Sequence, residues 1–189
     1  MSCEERNTPM QPFVTDIQRI RERARSAIDQ GAVTPSYKGD QAQVVKVLNE
    51  VLATEIVCML RYKRHYFMAD GLNSESVKAE FQEHWKEEEE HADWVAERIG
   101  QLNGEPDFNP EGLASRSHSD YVEGNDLTSM IEEDLVAERI AIETYSEIVR
   151  WLGDNDPTTR RLIERILEKE EEHADDLVTL ISRLKGQQH

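Results

Sequence analysis

The hexapeptide Glu-Glu-Glu-His-Ala-Asp occurs twice, at 88–93 and at 170–175. A glutamate in the middle of an otherwise apolar helical face precedes each copy: Glu55 lies 33 residues before Glu88, and Glu138 lies 32 before Glu170. The chain therefore repeats the pattern Glu … Glu-x-x-His. On a helix, residues three or four apart share a face. In the first copy either Glu87 or Glu88 could stand beside His91. In the second copy the position four before His173 is Lys169, which binds no cation, and the position three before it is Glu170. Taken as a repeat, Glu88 and Glu170 are the matching pair. Glu89, Glu90, Glu171 and Glu172 read as a solvated face. Asp93 and Asp175 lie about 200° around the helix from each histidine and point away. Glu55, Glu88, His91, Glu138, Glu170 and His173 then offer four carboxylates and two imidazoles. Such donors suit two divalent first-row ions, whose charge the four carboxylates balance. One Glu-x-x-His on an acidic helix is usually a surface ion-pairing pattern. Two copies at near-equal distances from two mid-helix glutamates are much harder to produce by chance. Six such groups facing one core would cost several kcal/mol each without a compensating cation.

Helices must position these residues. Spacings of three and four among Val44, Val47, Leu48, Val51, Leu52, Glu55, Cys58, Met59 and Tyr62 predict a helix over about 40–69. Gly71 and Asn73 mark a turn, and Ser74 is a plausible N-cap for a second helix to about 103. Residues 104–123 hold two prolines among glycines and polar residues, and read as a long connection with room for a short helix. A third helix is predicted over about 125–152 and a fourth over about 158–184, joined by Gly-Asp-Asn-Asp-Pro. Short, long and short connections between long helices give an all-α, four-helix bundle of two hairpins with one long crossover. Ahead of it, residues 1–12 read as an arm. Residues 13–30 read as a short helix with Ile17, Ile20, Ala24, Ala27 and Ile28 near one face, and Gly31–Gly39 as a linker. The expected division is 1–39 for the arm and short helix, and 40–185 for the bundle.

Length and composition agree with one soluble domain plus an extension: 189 residues, 38% hydrophobic and 32% charged. No apolar run approaches the roughly 18 residues that span a membrane, so no membrane role is expected. The first residues lack the apolar stretch of a signal peptide, and a cytoplasmic location is the expectation. Cys3 and Cys58 form no metal-binding spacing, and Cys58 reads as a small core residue. A net charge of −17 argues against nucleic acid and suits cations, though many soluble proteins are as acidic.

The stretch LNEVLATEIVCMLRY resembles the first helix of bacterioferritins. EEEEHADWVAERI resembles their second, EDLVAERIAIE their third and EKEEEHADDL their fourth. The resemblance covers about residues 44–182 in the right order. It implies a ferritin-like fold and a di-iron site held by Glu55, Glu88, His91, Glu138, Glu170 and His173. It also places Tyr62 close to the metals, as a possible redox partner. Tyr62 is seven residues after Glu55 and so shares its helix face, although a core tyrosine with a satisfied hydroxyl would sit there too.

Three departures from bacterioferritins shape the expectation. Bacterioferritins bind haem through a methionine directly after the second-helix glutamate; here that position is Glu89, so no haem is expected. Their fifth helix, which builds the four-fold axis of a 24-subunit shell, has no counterpart, because the fourth helix is expected to end near Leu184 with GQQH left over. The N-terminal segment and the middle connection are longer. Twelve-subunit cages of the Dps type lack the fifth helix and often carry a helix in the middle connection. The whole looks like a Dps-like ferritin with a bacterioferritin-type site, without the cysteine pair that some of that group carry. The implied activity is oxidation of Fe(II) by hydrogen peroxide or dioxygen, with storage and detoxification of Fe(III) mineral in a homo-oligomeric cage, a dodecamer in preference to a 24-mer.

A di-metal redox enzyme without storage is the alternative, either manganese catalase-like or rubrerythrin-like. The rubredoxin-like cysteine pairs usual in rubrerythrins are absent, while such ligands accept manganese as well as iron. DNA binding is disfavoured: residues 1–30 hold five arginines and five acids, and the rest is acidic. His84, four residues before Glu88, could add a transient iron position. For His84, His65 and His118, surface or core roles are the plainer reading.

Overall fold

The computed structural model describes residues 13–71 and 74–186. The expectations for the arm 1–12, Cys3, Asn73 and the last three residues fall outside them. Among the described residues the molecule is all-helical: α1 (Ile17–Arg25), a 3-10 turn (Ile28–Gln30), α2 (Gln41–Met68), α3 (Ser74–Gln101), α4 (Leu113–Arg116), α5 (Leu127–Leu152) and α6 (Pro157–Gly186). Two compact units divide between Ser36 and Tyr37.

In the first unit the helix is shorter than the 13–30 expected. Ser26 ends it: its N–H and its hydroxyl both donate to Arg23 O, at 3.1 and 2.8 Å. Ala27 then turns into the left-handed region, with φ 50°. The apolar stripe expected to be buried is open: Ile17, Ile20 and Ile28 are 50%, 40% and 82% exposed.

The second unit is a four-helix bundle. α2 pairs with α3 and α5 with α6; the hairpins meet through α2 with α5 and α3 with α6, and α4 lies against α2. Its helices begin where side chains satisfy the first free N–H groups. Asp40 accepts from Gln43 N at 3.1 Å, and Asp156 from Thr159 N at 2.9 Å. Asp126 and Ser129 cap α5 reciprocally. Tyr37, grouped with the arm by sequence, donates to Asp156 at 2.9 Å within this unit. The crossover from α3 to α5 starts at a close approach. A Cβ on Gly104 would come within 2.6 Å of Val45 Cγ1.

At the end of the bundle where α3 and α5 begin, Tyr62, Val77, Phe81, Ile131 and Leu177 form a buried apolar cluster. Cys58 is buried and accepts from Arg61 Nη2 at 3.6 Å. No described helix is long and apolar enough to cross a membrane.

Candidate metal centre

Each bundle helix sends one part of the repeat into the same interior. Glu55 comes from the middle of α2, Glu88 and His91 from α3, Glu138 from α5, and Glu170 and His173 from α6. All six are exposed by 1% or less. Their ligand atoms form two groups, each within 4.8 Å: Glu55, Glu88, His91 and Glu170, then Glu88, Glu138, Glu170 and His173. Glu88 and Glu170 belong to both. His91 Nδ1 lies 3.1 Å from Glu55 Oε2 and 3.2 Å from Glu170 Oε1. His173 Nδ1 lies 3.5 Å from both Glu88 Oε1 and Glu170 Oε2, and 3.9 Å from Glu138 Oε1. The arrangement is near two-fold, as the sequence repeat requires.

Burial separates Glu88, which the repeat favoured, from Glu87. Glu88 faces the interior, whereas Glu87 sits outside and its Oε2 meets His173 Nε2 at 2.7 Å. That contact fixes the ring so that Nδ1 points inward. Glu89, Glu90, Glu171, Glu172, Asp93 and Asp175 are exposed.

Packing these ionisable groups together shifts their proton affinities. Burial, with the charges of Glu170 and Glu88, raises the Glu55 and Glu138 carboxyls well above the usual range. Burial works against the ionised Glu88 too, but the neighbouring imidazoles of His173 and His91 outweigh it and hold that carboxyl below its usual value. His91 is pushed up to about 12: burial opposes its charge, and Glu170, Glu55 and Glu88 overcome that. Even so, Glu88 Oε1, Glu138 Oε2, Glu170 Oε1 and His173 Nδ1 are buried without a hydrogen-bond partner. Four convergent lone-pair donors left unsatisfied are what a pair of cations would fill.

Two tyrosines hold the outer carboxylates. Tyr62 is buried and donates to Glu138 Oε1. Tyr145, which the sequence reading missed, is equally buried and donates to Glu55 Oε1. The signal was available: Tyr145 follows Glu138 by seven residues, as Tyr62 follows Glu55. Each tyrosine caps the glutamate of the opposite hairpin.

The three ambiguous histidines separate. His65 is structural: its Nδ1 lies 2.8 Å from Asp134 Oδ2 and its Nε2 3.0 Å from Glu123 O. Arg61 Nε completes that buried cluster, at 2.8 Å from Asp134 Oδ1. His118 lies in the crossover, its Nδ1 3.0 Å from Thr54 Oγ1. His84 alone adjoins the centre, its ring stacked on His173 with centroids 4.0 Å apart. Burial, then His173, pushes it down to about 3.

Known proteins share this frame. The ferritin-like domain model matches residues 45–186. The bacterioferritin of Desulfovibrio desulfuricans is 30% identical over 147 residues, covering 77% of this chain and 78% of that protein. Its X-ray structure, which describes the diiron site in different catalytic states, superposes with a TM-score of 0.68 at 28% identity over 77% of this chain and 82% of that one. A nutrient stress-induced DNA-binding protein of Synechococcus is 31% identical over 138 residues, covering 70% of this chain and 77% of that protein. A dodecameric thioferritin, the bacterioferritin-related protein of Bacteroides fragilis, gives a TM-score of 0.74 at 32% identity and covers 79% of this chain and 92% of that one. The chain belongs to the ferritin-like family.

Proposed function

We propose that this protein oxidises Fe(II) at a dinuclear site formed by Glu55, Glu88, His91, Glu138, Glu170 and His173, and stores the Fe(III) within an oligomeric cage. The observation that carries this reading is the pair of four-ligand groups sharing Glu88 and Glu170, with unsatisfied buried donors turned toward one another. Two Fe(II) ions give two electrons either to one hydrogen peroxide, which takes up two protons and leaves as two waters, or to one dioxygen, which takes up two protons and leaves as hydrogen peroxide. The shared carboxylates bring the ions close enough for a two-electron step. Tyr62 and Tyr145 position Glu138 and Glu55 through their hydroxyls, and a redox role for Tyr62 is part of this proposal.

Anaerobic loading followed by rapid mixing with oxidant tests the site. Fast oxidation should saturate near two Fe(II) per chain. Glu138→Ala and His173→Ala should each slow the initial rate by more than about tenfold while keeping helical content. Unchanged initial rates at low iron loading would overturn the assignment.

The Bacteroides fragilis relative is dodecameric, and we extend that state to this chain. Light scattering should then give about twelve times the 21.8 kDa chain mass. A particle near twenty-four chain masses would refute it. The same sample should show no Soret band, since Glu89 is an exposed carboxylate and a poor axial ligand for haem iron. The DNA binding named for the Synechococcus protein is not extended to this chain, whose net charge of −17 repels phosphate.

A further inference from the structure

Among the described residues, one cluster of metal-ligating side chains lies outside the dinuclear centre. Glu80 and His84, one turn apart on α3, meet Asp176 of α6, with one ligand atom from each inside a 4.8 Å sphere. His84 is 1% exposed, and its Nδ1 has no hydrogen-bond partner. Its Nε2 faces the two carboxylates, 3.7 Å from Glu80 Oε1 and 4.0 Å from Asp176 Oδ2. Both distances are too long for a hydrogen bond. They suit two donors sharing one ion: with bonds of about 2.1 Å, donors opened by roughly 120–145° lie about 3.6–4.0 Å apart. Two carboxylates and one neutral imidazole also match the charge and donor preference of one divalent first-row ion.

The sequence repeat supplies an independent control. Shifting by the spacing that relates Glu88 to Glu170, the position matching Glu80 is Leu162 and that matching His84 is Ile166, while Asp176 matches Trp94. Where the repeat needs no polar group, the fold fills the same places with apolar side chains. The triad is therefore an addition to one side, not a by-product of acidic helices.

We propose that Glu80, His84 and Asp176 bind a third divalent cation and form a transit position for Fe(II) beside the dinuclear centre. This rests on the iron-oxidising reading of that centre. The geometry runs from water inward. The side chains of Asp176 and Glu80 are 46% and 28% exposed, that of His84 only 2%, and the His84 ring stacks on His173. An ion held here is reachable from solvent and one residue from a dinuclear ligand.

Crystals of the full-length metal-free protein, soaked anaerobically in Co(II), test this by anomalous diffraction at the cobalt edge. Wild type should show three peaks per chain: two at the dinuclear centre and one between Glu80, His84 and Asp176. In Glu80→Gln and Asp176→Asn, whose changes lie on the half-exposed rim, the third peak should fall at least several-fold while the pair persists. Calorimetric titration in solution should drop from three Co(II) per chain to two. A wild type with only the pair, or variants that keep the third peak, would overturn the proposal while leaving the dinuclear reading intact. A peak between Glu80, His84 and Asp176 without the pair would sink the dinuclear reading and, with it, the transit role.

Discussion

The two ends of the candidate metal centre are related by the sequence repeat, yet they are built differently. Polar groups flank His173, interleaved with the apolar cluster at that end of the bundle. His84 stacks on it, Glu87 holds its Nε2 at 2.7 Å, and the buried Arg61, His65 and Asp134 follow. Beyond His91 three of the matching positions are apolar, Ile166 for His84, Ile148 for His65 and Val51 for Asp134, and Arg61 is matched by the uncharged Thr144. There Trp94 lies beside His91, with ring centroids 5.3 Å apart, and Arg165 covers its outer face at 3.6 Å. Glu87 itself corresponds to Lys169, and the two meet at 3.3 Å. The repeat keeps what holds ions and relaxes elsewhere. The positions flanking His91 are filled mainly by apolar side chains, and those flanking His173 carry groups that can exchange protons or cations.

The largest expected effect comes from the buried charges that brace each end. Asp134 is fully buried between Arg61 and His65, and Arg61 also ties down the crossover through Asp120 O at 3.0 Å. Asp134→Ala strands a buried guanidinium and should cost roughly 3–5 kcal/mol in chemical denaturation. At the other end Asp156 joins Arg98, Thr159 and Tyr37. Burial alone would raise its carboxyl, but Thr159, then Tyr37 and Arg98, hold it below the usual range. Its contribution is therefore present above the unfolded value of about 3.9 and lost as pH falls through the lower folded value. Asp156→Asn should cost less than Asp134→Ala at neutral pH, and its deficit should close below about pH 3.9. A pH-independent Asp156→Asn deficit would mean that charge is not what braces that end.

Next in size is the grip on His173. Glu87→Gln removes the carboxylate that orients this ring and should weaken metal binding by about tenfold in a Co(II) titration. Lys169→Gln, at the matching position, touches neither histidine in the structure and should change affinity less. Equal losses would show that Glu87 acts through general charge and not by aiming His173.

The smallest effect tests the symmetry that remains. Tyr62→Phe and Tyr145→Phe each delete one hydroxyl that caps a carboxylate across the hairpins. Each should slow initial Fe(II) oxidation a few-fold, roughly the worth of one hydrogen bond of about 1 kcal/mol. A much larger loss for Tyr62 would give that tyrosine a redox role that Tyr145 lacks.

Sequence alone determined the helices, their order and the six candidate ligands. Helical periodicity and capping are local, and a repeated Glu … Glu-x-x-His carries its own internal control. The expected helix starting near 40 begins at Gln41, and the one expected to end near 184 ends at Gly186. The same repeat also held Tyr145, seven residues after Glu138, although a lone core tyrosine gives no reason to look for it. The repeat already favoured Glu88 over Glu87, and the tertiary structure adds that Glu88 is 1% exposed whereas Glu87 is only partly buried, its carboxylate on the outer nitrogen of His173. Only the tertiary structure separated His65, His84 and His118. A histidine's role depends on what faces it across the bundle, and Asp134, Asp176 and Thr54 come from distant parts of the chain. Pairing of buried polar groups is non-local, since each must find its partner wherever the fold brings one, and no spacing along a single helix encodes that.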